Sequence, residues 1–143
     1  MTNLFALAAY GESFTLHGGT KTDWKIECDA LSSHDWAALA RVTKAIVQPY
    51  TNVYSIRHGG DMLALCLRVD GPPVGPSFPT LPPTKQHWLI VDDVCTTGDS
   101  FKEAHAKLRE LGVPVKNIEG VCAFARGPYP AWVKPIFRLW GVA

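Results

Sequence analysis

An excess of charge of one sign is what this sequence lacks most clearly. Fourteen Lys and Arg side chains stand against thirteen Asp and Glu in 143 residues, so the formal net charge is +1. A protein that binds nucleic acid through its phosphates normally carries a marked basic excess. A disordered chain combines few apolar residues with a large net charge, whereas 47% of this chain is hydrophobic. The composition therefore argues against a nucleic-acid partner and predicts one folded domain over residues 1–143.

Long hydrophobic runs and paired cysteines are also missing. The apolar patch within residues 1–13 is short and no Lys or Arg precedes it, so neither a secretory signal nor a membrane span is expected. Cysteines and histidines do not recur at the spacing of zinc ligands, and there is no CxxC pair. We therefore expect a cytoplasmic protein with reduced thiols. The four cysteines are Cys28, Cys66, Cys95 and Cys122.

Proline, by contrast, is concentrated in one segment. Six of the eleven prolines lie between Pro72 and Pro83. Because proline removes a backbone donor and fixes φ, this composition suits neither a helix nor a central strand. Residues 71–86 are therefore predicted to form a loop, with an edge strand near Val74.

Helices and strands alternate along the rest of the chain. Helices are predicted over 32–47 and 100–111, each opened by a capping box, Ser32 with Asp35 and Ser100 with Glu103. Strands are predicted over 53–56, 88–94, 118–125 and 136–140. This alternation predicts an α/β fold with a mainly parallel sheet and flanking helices.

The segment after Gly59-Gly60 has two interpretations. Two glycines between apolar runs are typical of a hairpin, which would make 61–69 a second strand. Alternatively, Gly60 precedes a short buried helix that ends at Asp70. The residues alone leave both structures open.

The chemistry-bearing residues are concentrated in LIVDDVCTTGDS, residues 89–100. In an open α/β sheet, ligands bind beyond the carboxyl ends of the strands. Here the strand ends near Asp92 and Asp93, and a turn of two threonines and a glycine, 96–98, leads into a helix. Backbone amides, hydroxyls and the helix dipole at such a turn suit a phosphate, and adjacent carboxylates suit a diol or Mg²⁺. The combination describes a ribose 5-phosphate site.

This segment closely resembles the 5-phosphoribosyl-1-pyrophosphate (PRPP) signature of type I phosphoribosyltransferases. Two further segments are similar to the orotate phosphoribosyltransferases of that family. Residues 14–29 resemble part of their base-covering hood, and residues 53–67 resemble their pyrophosphate loop and its helix. The second likeness favours a helix over 61–69. The resemblance implies a type I phosphoribosyltransferase-like core with a small partial hood built from residues 1–30 and 126–143.

The resemblance also implies roles for individual residues. Asp92 and Asp93 would be catalytic, holding the ribose hydroxyls and, through these or through water, Mg²⁺. The 5-phosphate would be bound by Thr96, Thr97, Gly98, Asp99 and Ser100. The pyrophosphate would be bound by Arg57, His58, Gly59, Gly60 and Lys85. The base would be contacted by Trp24, Lys21 and Arg126.

The implied activity joins a nitrogenous base, orotate or a related one, to PRPP with release of pyrophosphate, in a Mg-dependent homodimer of pyrimidine biosynthesis. Two features depart from the family pattern. Orotate enzymes carry a mobile arm rich in Lys and Arg where residues 71–86 contain one basic residue, Lys85. Asp99 stands where a small neutral residue is usual, and its carboxylate would repel phosphate unless it turns outward or caps the helix. The missing arm leaves a second interpretation, a non-catalytic regulatory module of the same fold that binds PRPP or a nucleotide.

Overall fold

The chain divides into two units, Met1–Asp35 and Trp36–Ala143. A computed structural model describes residues 4–16, 19, 21–69 and 81–139 of these units. Most of the predicted proline-rich loop, including the edge strand near Val74, lies outside the described residues. In its described part, Pro83–Lys85 forms a single 3₁₀ turn.

The first unit contains two short antiparallel ribbons. Its four strands are β1 (Phe5–Leu7), β2 (Phe14–Thr15), β3 (Lys21–Thr22) and β4 (Trp24–Ile26). β1 pairs with β4, and β2 pairs with β3. This region was predicted to contribute to a hood, and it holds two of the predicted base-binding residues, Lys21 in β3 and Trp24 in β4.

A four-stranded parallel sheet organises the second unit. In spatial order its strands are β5 (Asn52–Ser55), β6 (Trp88–Cys95), β7 (Ile118–Ala125) and β8 (Val133–Arg138). The helices are α1 (Ser33–Ile46), α2 (Asp61–Val69) and α3 (Asp99–Glu110). All three strand pairs are parallel, which confirms the predicted α/β class. Residues 61–69 form a helix, so the hairpin interpretation is wrong.

The core lies around β6 and β7 because both strands are covered by other elements. Ile90 in β6, Cys122 in β7 and Leu108 in α3 are fully buried in one hydrophobic cluster. A strand buried on both faces has a continuous apolar sequence instead of alternating polarity. This is why the run before Asp92 reads as uninterrupted hydrophobic residues.

Residues 126–143 differ from their prediction as a hood element. Val133–Arg138 forms the last strand of the parallel sheet, in register with β7 from Gly120 to Ala125. Pro135 lies within this strand, and proline is tolerated at such a position because β8 is at the edge of the sheet. Val133–Arg138 therefore belongs to the core sheet. In the described part of the chain, no helix is long and apolar enough to cross a membrane.

The capping box predicted for α1 is confirmed. The backbone N–H of Asp35 donates to Ser32 Oγ at 3.1 Å, and the N–H of Ser32 donates to Asp35 Oδ2 at 2.8 Å. These bonds satisfy two amides at the start of the helix.

We expect Ser32→Ala to lower the free energy of unfolding by about 1 kcal/mol, because it removes the acceptor for the Asp35 amide. Chemical denaturation measures the change. Ser33→Ala, one residue further into the helix, is the control and should stay within about 0.5 kcal/mol of wild type. Equal effects of the two substitutions would contradict the capping assignment.

Candidate active site

The carboxyl ends of β5, β6 and β7 lie together on one side of the parallel sheet, which we call the carboxyl edge. In the register, Ser55 at the end of β5 lies opposite Val91, and Asp92 lies opposite Cys122 of β7. Because the strands are parallel, the loops after β5, β6 and β7 all leave from this edge. These loops contain most of the predicted ligand-binding residues.

The loop after β5 packs directly against the acidic pair of β6. The Ile56 N–H donates to the carbonyl of Val91 at 2.9 Å, and the Gly60 N–H donates to the carbonyl of Ile56 at 2.8 Å. A Cβ at Gly59 would overlap the carboxylate of Asp93, so this close approach requires glycine. The structure thus brings Gly59 directly against Asp93 and Gly60 against the carbonyl of Val91. The peptide bond between Arg57 and His58 in this loop is cis.

Asp92 and Asp93 are successive residues of β6, and their carboxyl groups interact with each other. Asp92 is only 8% exposed, whereas Asp93 is half-buried. The Asp93 N–H donates to Asp92 Oδ1 at 2.8 Å, and the Val94 N–H donates to Asp93 Oδ1 at 2.7 Å. Each carboxylate therefore keeps one oxygen fixed by the backbone at the end of the strand.

Burial is the main cause that raises the pKa of Asp92, and together with a side-chain hydrogen bond to Asp93 and the negative charge of Asp93 it brings this pKa to about 9. No salt bridge to Asp92 occurs among the described side chains. The carboxyl of Asp92 consequently keeps its proton at neutral pH in the ligand-free protein. A cation or a polyhydroxyl ligand at this position would favour the ionised form.

The turn after β6 differs in detail from its prediction. α3 begins at Asp99, and Gly98, with φ of 83°, occupies the N-cap position without a side-chain hydrogen bond. The predicted Ser100 capping box and the suggested N-cap role of Asp99 are therefore wrong. Gly98 is suited to this position because φ is positive and Pro130 leaves little room for a Cβ.

The predicted phosphate-binding residues lie together at the start of α3. Thr97 Oγ1 accepts a hydrogen bond of 3.3 Å from the Asp99 N–H, and the side chains of Thr97, Asp99 and Ser100 are exposed. The first turn of a helix presents amides that the helix itself cannot pair, at the positive end of its dipole. The exposed position of Asp99 leaves this turn accessible to an anion.

The loop after β7 packs against the turn that follows β6. The Arg126 N–H donates to the carbonyl of Cys95 at 2.9 Å, and a Cβ at Gly127 would overlap the Thr96 carbonyl. Arg126 therefore lies beside the end of β6, and its side chain is half-buried. The structure brings Arg126 and Thr96 to the same edge of the sheet.

One predicted residue, Lys85, is not brought to this edge. Lys85 precedes the amino end of β6, where the neighbouring carbonyl of Thr84 accepts from Asn117 Nδ2 at 3.4 Å. The amino ends of parallel strands lie at the opposite side of the sheet, so Lys85 of the same chain does not join the loop at Gly59. Two further predicted residues, Trp24 and Lys21, belong to the first unit, and their contact with the base stays a prediction.

Two residues that the sequence prediction missed join the loop after β5. Ser55 Oγ donates to Asp61 Oδ1 at 2.6 Å. Asp61 Oδ2 lies 3.9 Å from Arg57 Nε and 3.7 Å from His58 Nδ1. The spacing of an acid four residues after Arg57 is a weak signal of this contact. The pair with Ser55 depends on how the loop folds back onto β5, which the spacing does not reveal.

The acidic pair fits Mg²⁺ only together with a ligand. Within residues 4–16, 19, 21–69 and 81–139, no group of three or more His, Cys, Asp or Glu side chains could hold a metal ion. Mg²⁺ usually keeps several waters and takes one or two carboxylates together with phosphate oxygens. Asp92 and Asp93 therefore suit a Mg²⁺ ion that a phosphorylated ligand carries.

Comparison with known proteins identifies the fold. No protein-family model matches the sequence, and no curated protein matches it. Solved structures do match: orotate phosphoribosyltransferase from Aeropyrum pernix is 17% identical, with a TM-score of 0.66 over 89% of this chain and 85% of that one. The chain therefore has the type I phosphoribosyltransferase fold, similar to that of the orotate enzymes.

Two further structures with this fold bear on the site. Orotate phosphoribosyltransferase from Mycobacterium tuberculosis in complex with PRPP is 18% identical, with a TM-score of 0.57 over 80% of each chain. A purine phosphoribosyltransferase from Pyrococcus horikoshii is 21% identical, with a TM-score of 0.52 over 77% of this chain and 84% of that one. The fold thus occurs in enzymes named for both pyrimidine and purine bases.

Asp92→Asn tests whether the buried carboxyl destabilises the folded protein. The folded chain keeps this proton up to about pH 9, whereas an unfolded chain loses it at about pH 4. Because the folded state binds more protons in this window, the free energy of unfolding falls as the pH rises, by up to about 1.4 kcal/mol per pH unit. Asn cannot ionise, so the variant should lose this dependence and exceed wild-type stability at about pH 8.

Denaturation with urea across this pH range measures both slopes. Asp99→Asn, which neutralises an exposed acid in the following turn, is the matched control and should follow the wild-type slope. Parallel slopes for wild type and Asp92→Asn would contradict a protonated, buried Asp92.

Proposed function

We propose that this protein is a phosphoribosyltransferase that joins a nitrogenous base to PRPP and releases pyrophosphate. One observation carries the proposal: the loop at Gly59 packs on the carboxylate of Asp93, beside the turn that opens α3. This juxtaposition supplies an acidic pair flanked by two sets of backbone amides. PRPP has the matching order of groups, a diol between a monophosphate and a diphosphate.

Each part of PRPP has a proposed partner at this edge. The 5-phosphate binds the first turn of α3 and the hydroxyls of Thr96, Thr97 and Ser100. The ribose hydroxyls donate to Asp92 and Asp93. The diphosphate binds the amides of the 57–60 loop, where Arg57 and His58 add positive charge.

The reaction exchanges one bond at C1 of the ribose for another. The bond from C1 to the diphosphate oxygen breaks with its electron pair, and a nitrogen lone pair of the base forms the new bond through an oxocarbenium-like state. A proton on that nitrogen is released to solvent. Arg57 and the loop amides stabilise the departing diphosphate, and Asp92 and Asp93 hold the ribose in line. Asp92 and Asp93 would hold Mg²⁺ through water or the ribose hydroxyls, and the ion would neutralise charge on the diphosphate.

Orotate or a related base is the proposed acceptor. Arg126, half-buried beside the end of β6, would pair with an acidic base. Lys21 and Trp24, which belong to the first unit, stay predicted contacts of the base. As the resemblance implies, we expect a cytoplasmic homodimer in pyrimidine biosynthesis. The exposed apolar side chains of Met62 and Leu65 on α2 provide surface for a dimer contact.

One observation favours the second candidate, a regulatory module that binds PRPP or a nucleotide without catalysis. Lys85, the single basic residue of 71–86, lies at the amino end of the sheet, away from the loop at Gly59. A chain that lacks cations over the diphosphate loses transition-state stabilisation and can still retain binding.

Pyrophosphate release separates the two candidates. Wild-type protein with PRPP and Mg²⁺ is tested with orotate, uracil and the purine bases one at a time, and release is expected with one of them. The double variant Asp92→Asn, Asp93→Asn should neither bind PRPP nor release pyrophosphate, while its circular dichroism remains that of a folded protein. Binding of PRPP without turnover on any base would favour the regulatory module. Normal PRPP binding by the double variant would contradict the site itself.

Gly59→Ala tests the contact between the loop and Asp93. The added Cβ would overlap the Asp93 carboxylate, so the loop must move away and PRPP affinity should fall at least about ten-fold. Calorimetric titration with PRPP measures the affinity. Gly120→Ala crowds Val133 in the core and controls for general destabilisation. Equal PRPP affinities of Gly59→Ala and Gly120→Ala would contradict a role for the loop.

A further inference from the structure

Asp61 places a negative charge in a loop that is proposed to bind an anion. It is the first residue of α2 and directly follows Gly60. Its Oδ1 accepts from Ser55 Oγ at 2.6 Å, which fixes the carboxylate toward the loop. The Ser55 hydrogen bond lowers the pKa of Asp61, and the charges of Arg57 and His58 act in the same direction. The carboxylate is therefore ionised at neutral pH.

The side chains of Arg57 and His58 both lie near one oxygen of Asp61. Arg57 Nε is 3.9 Å and His58 Nδ1 is 3.7 Å from Oδ2. These distances are long for charge-assisted hydrogen bonds, which are shorter than 3 Å. The two side chains are 74% and 86% exposed. Exposed, loosely paired charges contribute little rigidity, so Asp61 does not hold Arg57 and His58 in a fixed geometry.

Asp61 therefore acts on a bound anion through its negative charge, since it does not position Arg57 and His58. Its charge offsets that of Arg57, so a diphosphate at the Gly59 and Gly60 amides meets a loop with almost no net positive charge. The diphosphate must also share Arg57 with the carboxylate of Asp61, which the hydrogen bond from Ser55 fixes. Both effects weaken anion binding, and both decrease as salt screens the charges.

We propose that Asp61 is an intramolecular counter-anion that offsets the positive charge of Arg57 and lowers the affinity of this site for diphosphate. Asp61 is thus an affinity-determining residue, which sets how readily the diphosphate product leaves. The inference rests on the proposed function for the location of the diphosphate. Asp61 lies outside the PRPP signature at residues 89–100 and is not one of the loop glycines, so neither motif gives it a role.

Asp61→Asn isolates the charge. The amide oxygen of Asn still accepts from Ser55 Oγ, so the shape and the hydrogen bond are retained while the charge is lost. We expect the dissociation constant for inorganic pyrophosphate with Mg²⁺ to fall about three- to ten-fold at low ionic strength. This gain should shrink at high ionic strength. Asp35→Asn makes the same change in the first turn of α1, beside Ser32, and is the matched control.

Calorimetric titration of wild type and both variants, at two salt concentrations, distinguishes the outcomes. Tighter pyrophosphate binding by Asp61→Asn alone, with a gain that salt reduces, supports the inference. Unchanged or weaker binding by Asp61→Asn, with normal binding by wild type, overturns the inference and leaves the proposed function standing. Failure of wild type and variants alike to bind pyrophosphate or PRPP overturns both.

Discussion

The parallel pairing of β6 with strands on both sides is the constraint on which the candidate site depends. Seven of the eight residues of β6 pair with β7 and four pair with β5, and the side chains of Leu89, Ile90 and Val91 are buried. Because the hydrophobic part of the strand fits only inside the sheet, Asp92 and Asp93 are carried to its edge. The loops after β5 and β7 reach the same edge through the register. The position of the two acids therefore follows from the burial of the hydrophobic residues that precede them in β6.

The proposed anion site of this nearly neutral chain has to use local charges and dipoles. The net charge of +1 gives little long-range attraction. Backbone amides at the start of α3 and around Gly59 supply donors that cost no formal charge. The same region contains three carboxyl groups, which belong to the protonated Asp92, the half-buried Asp93 and the hydrogen-bonded Asp61. Such a balance suits a ligand that brings Mg²⁺ with it, since the cation compensates the acids.

Local sequence patterns predicted most of the elements, and long-range contacts account for the errors. The apolar runs fixed β6 and β7 within one residue, and the Ser32 box predicted the start of α1 correctly. The start of α3 was misplaced because Gly98 adopts a positive φ against Pro130, a contact from a distant loop. The resemblance to the basic arm of the orotate enzymes places Lys85 in the site, whereas its position just before β6 puts it at the amino end of the sheet. The sequence does not reveal the role of Asp61, since its partner Ser55 approaches only after folding.

A crystal structure of the protein with PRPP and Mg²⁺ tests the central claim most directly. We expect the 5-phosphate on the amides of 97–100, the ribose hydroxyls within hydrogen-bond distance of Asp92 or Asp93, and the diphosphate on the loop 57–60. PRPP bound at another surface of the chain would contradict this account. So would crystals grown at saturating PRPP in which this edge of the sheet holds no ligand.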